Sequence, residues 1–218
     1  MAMKSSRNSK IEIDSNTTLR PQRNLSKDLG DRIGRVAKKF FDYSQIIVII
    51  LGLFALLYLF IAQFSVVDGP SMEDNFKNGD LTIYEKITTS VGHLKRGDVV
   101  VFQAPDGRDF IKRVIGLPGE SVKISGGKVY INNKPLEEDY LTETNKNVNT
   151  GTLFTEGNVV VNKDNEYDLF GDNRIVSHDS RYADIGPVNI NKIKGKVMLV
   201  FWPISKIHPI SDITYPSM

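Results

Sequence analysis

The chain has 218 residues, 25% of them charged and 40% hydrophobic. That mixture excludes collagen-like, low-complexity and wholly disordered chains, and allows one or two domains at roughly 100–200 residues each. A net charge of +2 gives no basic field for nucleic acid, and the absence of cysteine excludes disulfide scaffolds, zinc ribbons, iron–sulfur clusters and thiol proteases together. The three histidines, His93, His178 and His208, stand at spacings that make no metal site, so any chemistry falls to oxygen nucleophiles, carboxylates or amines.

Residues 1–44 carry ten Lys or Arg against five acids, a net charge of +5. Residues 1–30 are rich in Ser, Asn, Lys and Arg and read as disordered. Leu29 to Phe41 reads either as a short basic amphipathic helix on anionic lipid or as a solvated positive tail. From Tyr43 to Val67 no residue is charged, and Ile46–Phe64 is apolar on every helical face. About 20 such residues cross a bilayer core of roughly 30 Å. A buried core helix would show a polar stripe, and a cleavable leader would be shorter, with few residues before it. The expectation is a cytoplasmic tail over 1–44, a transmembrane helix over 45–67 and an extracytoplasmic domain over 68–218, oriented by Arg32, Arg35, Lys38 and Lys39 just before the helix.

Residues 68–218 read as mostly β. The runs 81–87, 98–104, 109–116 and 196–202 are rich in β-branched and aromatic residues and are punctuated by Gly, Pro, Asn and Asp. Residues 121–134 predict a hairpin turning at Gly126–Gly127. Residues 133–157, polar and weakly patterned, predict a long excursion or a small subdomain. No long amphipathic helix is expected beyond residue 70.

Three segments carry chemistry. Gly69-Pro70-Ser71-Met72 can turn sharply and present a hydroxyl and an amide together, although the same residues also make ordinary turns. In the strand-like run from Asp109, alternation puts Phe110, Lys112 and Val114 on one face and Ile111, Arg113 and Ile115 on the other, so each face sets a cation among apolar neighbours. Such burial lowers a lysine pKa and frees a neutral amine, which an arginine cannot supply; the plainer alternative is a lysine snorkelling at a sheet edge. Residues 171–181, GDNRIVSHDSR, crowd two Asp, two Arg, two Ser, a His and an Asn into a potential network of bidentate pairs.

A membrane helix followed by GPSM, RGDVVVF (96–102), FIKRVIGLPGE (110–120) and GDNRIVSHDSR, in that order, resembles bacterial type I signal peptidase of the Gram-positive kind over about residues 45–203. The resemblance implies a β-rich, membrane-anchored serine endopeptidase without cofactor or metal. Such an enzyme removes signal peptides from exported preproteins at the outer face of the plasma membrane, after small residues, near the secretion translocon. Carried over by motif, Ser71 is the nucleophile, Lys112 the general base and Ser177 the hydroxyl that orients the lysine amine. Asp179 and Arg181 brace the site, with Asp172, Asn173 and Arg113 beside them. Met72 walls the pocket for the small substrate side chain, and Phe76 and Phe110 line it. The chain departs from the family at Glu73-Asp74-Asn75, where the family has a variable residue and then Pro-Thr. With Gly69 two residues before the nucleophile, the oxyanion hole rests on backbone N–H groups, that of Ser71 among them.

Other readings fare worse. A Ser-His-Asp relay through His93 or His208 lacks a recognisable setting, and His178 adjoins Ser177 and Asp179 too closely in sequence for a relay among the three. Ser125-Gly-Gly-Lys128 matches an S-x-x-K motif that needs a helix, which two glycines in a hairpin oppose. The self-cleaving SOS repressors share Ser-Lys chemistry without an anchor. A catalytically silent homologue that only binds exported chains is the rival from another class; it would be expected to lack Ser71 or Lys112.

Overall fold

The computed structural model describes residues 25–73, 75–92, 94–148, 150–155 and 157–215. Most of the tail expected as disordered lies outside the described residues, as do Asp74 and His93; residues 25–30 are helical. The chain clusters into two compact units, residues 1–52 and 53–218.

Helix α1 (Leu25–Phe60) begins in the first unit and ends in the second. Over Leu29–Tyr58 it is long and apolar enough to cross a membrane: 30 residues extend about 45 Å at 1.5 Å each. Leu51, Leu53, Phe54 and Leu56 are exposed on successive faces, as befits a helix apolar all round. The boundaries differ from the expected 45–67. The basic stretch before the apolar run is the first part of the same helix, and the run's last residues form strand β1 (Ala62–Val66). A short apolar segment is ambiguous between helix and strand by periodicity. Here pairing decides, because β1 lies antiparallel to β2 (Leu81–Glu85), from Ala62 opposite Glu85 to Val66 opposite Leu81. Thr82 Oγ1 adds a bond of 3.0 Å to the Ser65 carbonyl, and Tyr84 Oη one of 2.7 Å to Gln63 Oε1.

The rest of the second unit is β-rich, as expected. After the short helix α2 (Ile87–Ser90) come β3 (Val99–Gln103), β4 (Asp109–Gly116), β5 (Ser121–Ser125), β6 (Lys128–Ile131), β7 (Lys134–Pro135), β8 (Val160–Val161), β9 (Glu166–Phe170), β10 (Val188–Asn189), β11 (Ile193–Trp202) and β12 (His208–Pro209). One sheet runs in the order β1-β2-β11-β3-β4-β9-β10, with β12 against β11; a smaller sheet runs β7-β6-β5-β8.

The continuous apolar run of β3 is explained by burial on both faces. Val99 and Val101 enter one core with Met72, Phe76, Tyr84, Ile111 and Val197, while Val100 and Phe102 enter a second with Val114, Leu169 and Ile193. The small sheet keeps period-2 alternation instead: Val122, Ile124, Val129 and Ile131 are buried in a third core. Its hairpin turns at Gly126 and Gly127, with φ of +55° and +77°, values that glycine tolerates in a two-residue turn. Residues 133–157 add Leu136 and Phe154 to that core, so their sparse apolar residues anchor the excursion.

Candidate active site

Ser71 sits in a turn between two anchored segments. Glu73 N–H donates to the Pro70 carbonyl at 3.1 Å, and Phe76 N–H to the Met72 carbonyl at 2.9 Å. Upstream, Gly69 has φ +87° and its N–H donates to Asn78 Oδ1 at 2.9 Å. Met72 plugs the turn into the first core, fully buried.

β4 delivers the lysine. Paired with β3 on one side, Val100 opposite Lys112, and with β9 on the other, the strand is buried from Ile111 to Gly116. Lys112 is 3% exposed, its Nζ 2.7 Å from Ser71 Oγ and 3.0 Å from the Ile111 carbonyl. The ammonium position lies 5.1 Å from the Phe110 ring centroid. Burial pulls the Lys112 pKa down to about 8; the Asp179 and Asp172 charges oppose this, and the Arg181 charge favours it.

The polar run after β9 folds back on the serine. Asn173 N–H donates to the Ser71 carbonyl at 3.0 Å. A Cβ on Gly171 would stand 2.2 Å from Ser177 Oγ and 2.5 Å from that same carbonyl, so only glycine lets the three meet. Asp179 Oδ2 accepts the Gly171 N–H at 2.8 Å, and both its oxygens are held by Arg181, through Nε and Nη2 at 2.8 Å each. Arg181 is fully buried; its Nη1 bonds Thr150 Oγ1 at 2.8 Å and the Arg174 carbonyl at 2.9 Å, and its Nη2 the Ser177 carbonyl at 3.2 Å. Burial would raise the Asp179 carboxyl, but the Arg181 bonds and charge, with the Gly171 amide, hold it below the ordinary carboxylate value. The Ser177 hydroxyl adds to that lowering as a polar neighbour, without the geometry of a full hydrogen bond.

Asp172 makes the second pair, with Arg113 Nε at 2.8 Å and Nη2 at 2.5 Å, while Arg113 Nη1 bonds the Gly97 carbonyl at 2.9 Å. Asn75, one of the departures from the family pattern, donates from Nδ2 to Asp172 Oδ2 at 2.8 Å and so joins this pair.

Ser71, Lys112, Met72 and Phe110 border one cleft of about 170 Å³, walled also by Val67, Ile111 and Val176. Two of the expected site residues stand apart from these contacts. Phe76 does not line the cleft; the turn that starts at Met72 carries it into the core, where it is 1% exposed. Ser177 is buried at the site, and its hydroxyl makes no hydrogen bond of full geometry to the Lys112 amine, which contacts Ser71 Oγ and the Ile111 carbonyl.

Sequence reasoning missed a third brace. Arg174 donates from Nε to the Gly171 carbonyl at 3.0 Å, from Nη1 to Glu138 Oε2 at 2.9 Å and from Nη2 to Glu138 Oε1, so a residue of the weakly patterned excursion supports the box. A counting signal existed: with Asp172 committed to Arg113 and Asp179 to Arg181, Arg174 needs an acid from elsewhere. His178 also borders the cleft, but its Nε2 pairs with Asp184 Oδ2 at 2.8 Å; His208 Nδ1 contacts the Lys206 carbonyl. Among the described residues, no three His, Cys, Asp or Glu side chains are grouped to ligate a metal.

Comparison with known proteins gives the arrangement its relatives. A family profile described as "Signal peptidase, peptidase S26" matches residues 40–202. The chain is 36% identical over 159 residues to a signal peptidase I of Bacillus caldolyticus, covering 70% of this chain and 86% of that protein. It is 33% identical over 181 residues to signal peptidase I P of Bacillus subtilis subsp. natto, covering 81% and 97%. To signal peptidase IB of Staphylococcus aureus N315 it is 36% identical over 166 residues, covering 70% and 86%.

Proposed function

Because the chain belongs to the bacterial type I signal peptidase family, membrane-anchored enzymes that cleave signal peptides from preproteins, we propose that it does so by a Ser-Lys dyad. Neutral Lys112 takes the proton from Ser71 Oγ as that oxygen attacks the scissile carbonyl. The lysine then passes the proton to the leaving amine, and a water activated by the same amine hydrolyses the acyl-enzyme. The observation that carries this reading is the 2.7 Å contact between Ser71 Oγ and the buried Nζ of Lys112. With a pKa of about 8, about a tenth of the lysine is neutral at pH 7, against less than a thousandth at the ordinary value near 10.4.

The developing oxyanion is met by backbone N–H groups, that of Ser71 among them, since Gly69 offers no hydroxyl. Asn173, Asp172, Asp179, Arg181 and Arg113 act by holding the Ser71 backbone and the Gly171 turn in place. The small cleft, walled by Met72, Val67, Ile111 and Phe110, supports cleavage after small residues.

The charge asymmetry across the apolar helix, +5 over residues 1–44 against −3 beyond them, supports a cytoplasmic N-terminus and an extracytoplasmic catalytic unit. Eleven residues lead from Phe60 to Ser71. Along the chain they keep the nucleophile within about 36 Å of the helix end at roughly 3.3 Å per residue. That reach suits substrates delivered in the membrane plane, near the translocon that exports them.

Cleavage of a preprotein in liposomes tests the assignment. Ser71→Ala and Lys112→Ala should each abolish processing while the protein remains folded. Full activity in Lys112→Ala would remove the lysine from the mechanism.

A further inference from the structure

The stretch after β12 carries an alternation that the chemistry above does not use. Ile210, Ile213 and Tyr215 are half-buried, while Ser211, Asp212 and Thr214 between them are exposed. Three anchors hold this strap. Ile210 N–H donates to the Met198 carbonyl at 2.9 Å, and its side chain packs on the core that contains Met72 and Phe76. Tyr215 packs on the third core, the one that contains Ile115 and Phe170. Between these ends the strap closes over a second cavity bordered by Asn75, Phe76, Arg113 and Tyr140, none of which borders the cleft at Ser71.

The contact that matters is with Gly97. A Cβ there would stand 3.1 Å from Tyr215 Cε2 and 3.2 Å from Ile213 Cβ, so the strap lies directly on the Gly97 peptide. That peptide is the one whose carbonyl accepts Arg113 Nη1 at 2.9 Å. The other two donor groups of Arg113 hold Asp172, and the amide that follows Asp172, that of Asn173, grips the Ser71 carbonyl. The Tyr215 hydroxyl is buried without a hydrogen bond of full geometry, and burial pushes its pKa up to about 12, so the phenol stays neutral beside Arg113. Its ring edge makes the nearest contact to the Gly97 position, the hydroxyl standing farther off at 3.5 Å.

Resting on the Ser71–Lys112 reading, we propose that Tyr215, seconded by Ile213, is a positioning residue for peptide cleavage: its ring clamps the Gly97 peptide, which fixes Arg113, which fixes Asp172 and through it the turn that holds the nucleophile. The residue touches no reacting atom. It removes slack from a relay of three contacts whose far end is the serine backbone.

The test is steady-state cleavage of a preprotein by the full chain in liposomes, with kcat and KM measured for wild type, Ser71→Ala, Tyr215→Ala, Tyr215→Phe and Thr214→Ala. Tyr215→Ala should lower kcat roughly tenfold, within the ~100-fold that a 1 Å misplacement of reacting groups can cost, with KM changed less than about twofold. Tyr215→Phe, which keeps the ring, should restore the rate, and Thr214→Ala, exposed on the same strap, should match wild type. A Tyr215→Ala rate that falls only in proportion to the folded fraction in a melting curve, or a loss carried by KM rather than kcat, overturns the inference while an inactive Ser71→Ala leaves the dyad standing. Cleavage by Ser71→Ala at the wild-type rate would overturn the dyad and the inference together.

Discussion

Replacing Lys112 by methionine should abolish cleavage and change the pH dependence of stability in a calculable way. In the folded chain the amine has a pKa of about 8; unfolded, it returns to about 10.5. Between those values the unfolded state binds a proton that the folded state does not. Folding is therefore penalised below pH 8 by about 3 kcal/mol, at 1.36 kcal/mol per pKa unit, and the penalty fades as the pH rises toward 10.5. Lys112→Met removes the titration and keeps an unbranched side chain of similar length in the cavity. It also removes the contacts to Ser71 Oγ and the Ile111 carbonyl, a loss of roughly 1 kcal/mol each that does not depend on pH. The difference in unfolding free energy, variant minus wild type, should thus fall by about 2–3 kcal/mol between pH 7 and pH 10, whatever its offset. Urea unfolding of both proteins in the same detergent at four or five pH values measures it, because every other titrating group cancels in the difference. Parallel stability curves would refute the depressed lysine and with it the physical basis for the base assignment.

Three further outcomes follow from neighbouring groups. Asp168, fully buried beside Gly116 and Asn162, has its carboxyl pushed up to about 7 by burial, with the Asp179, Glu166 and Glu120 charges adding to the rise. Asp168→Asn should gain stability over wild type progressively from pH 4 to pH 7, by up to about 4 kcal/mol, and level off above; a pH-independent difference in thermal melting would contradict this. Gly171→Ala forces a methyl group within 2.2 Å of Ser177 Oγ and should cut the cleavage rate by roughly 100-fold, for a stability cost of about 1–3 kcal/mol read by denaturant unfolding. Asn75→Ala removes one of the donors to Asp172 and should cost about 1 kcal/mol of stability and a few-fold in rate, whereas wild-type behaviour in both assays would make the departure from the family pattern neutral.

How much the sequence revealed depended on the distance over which each residue acts. The hairpin at Gly126–Gly127 and the strand of Lys112 were legible because turn chemistry and β-branched runs are local signals. Ser71 and Lys112, 41 positions apart, were legible only through the resemblance, since nothing in either segment alone points to the other. The helix end was misjudged because Ala62–Val66 is as apolar as the residues before it, and only its pairing with β2 makes it a strand. Phe76 was misplaced for a similar reason. Counting from the nucleophile puts it beside the pocket, but the turn closed by its N–H on the Met72 carbonyl rotates it into the core. Glu138 left no local trace, being one acid among several in a polar stretch, and its partner Arg174 lies 36 positions away.

The placement of the arginines resolves a tension within the site. A neutral lysine requires burial away from negative charge, yet Asp172 and Asp179 both raise its pKa. The two acids are nevertheless used, because a buried carboxylate is a strong acceptor for the backbone and side-chain donors that shape the serine turn: Asp179 takes the Gly171 amide, and Asp172 takes Asn75. Each acid is therefore closed by a bidentate arginine, Arg181 and Arg113, which leaves the hydrogen-bonding capacity in place, and the Arg181 charge offsets part of the field at Lys112. Arginine suits this role because it stays protonated where a second lysine would itself tend to lose its charge by burial. Breaking either pair burdens the fold with an uncompensated buried ion, and losing the Arg181 charge also makes the proton of the base harder to remove.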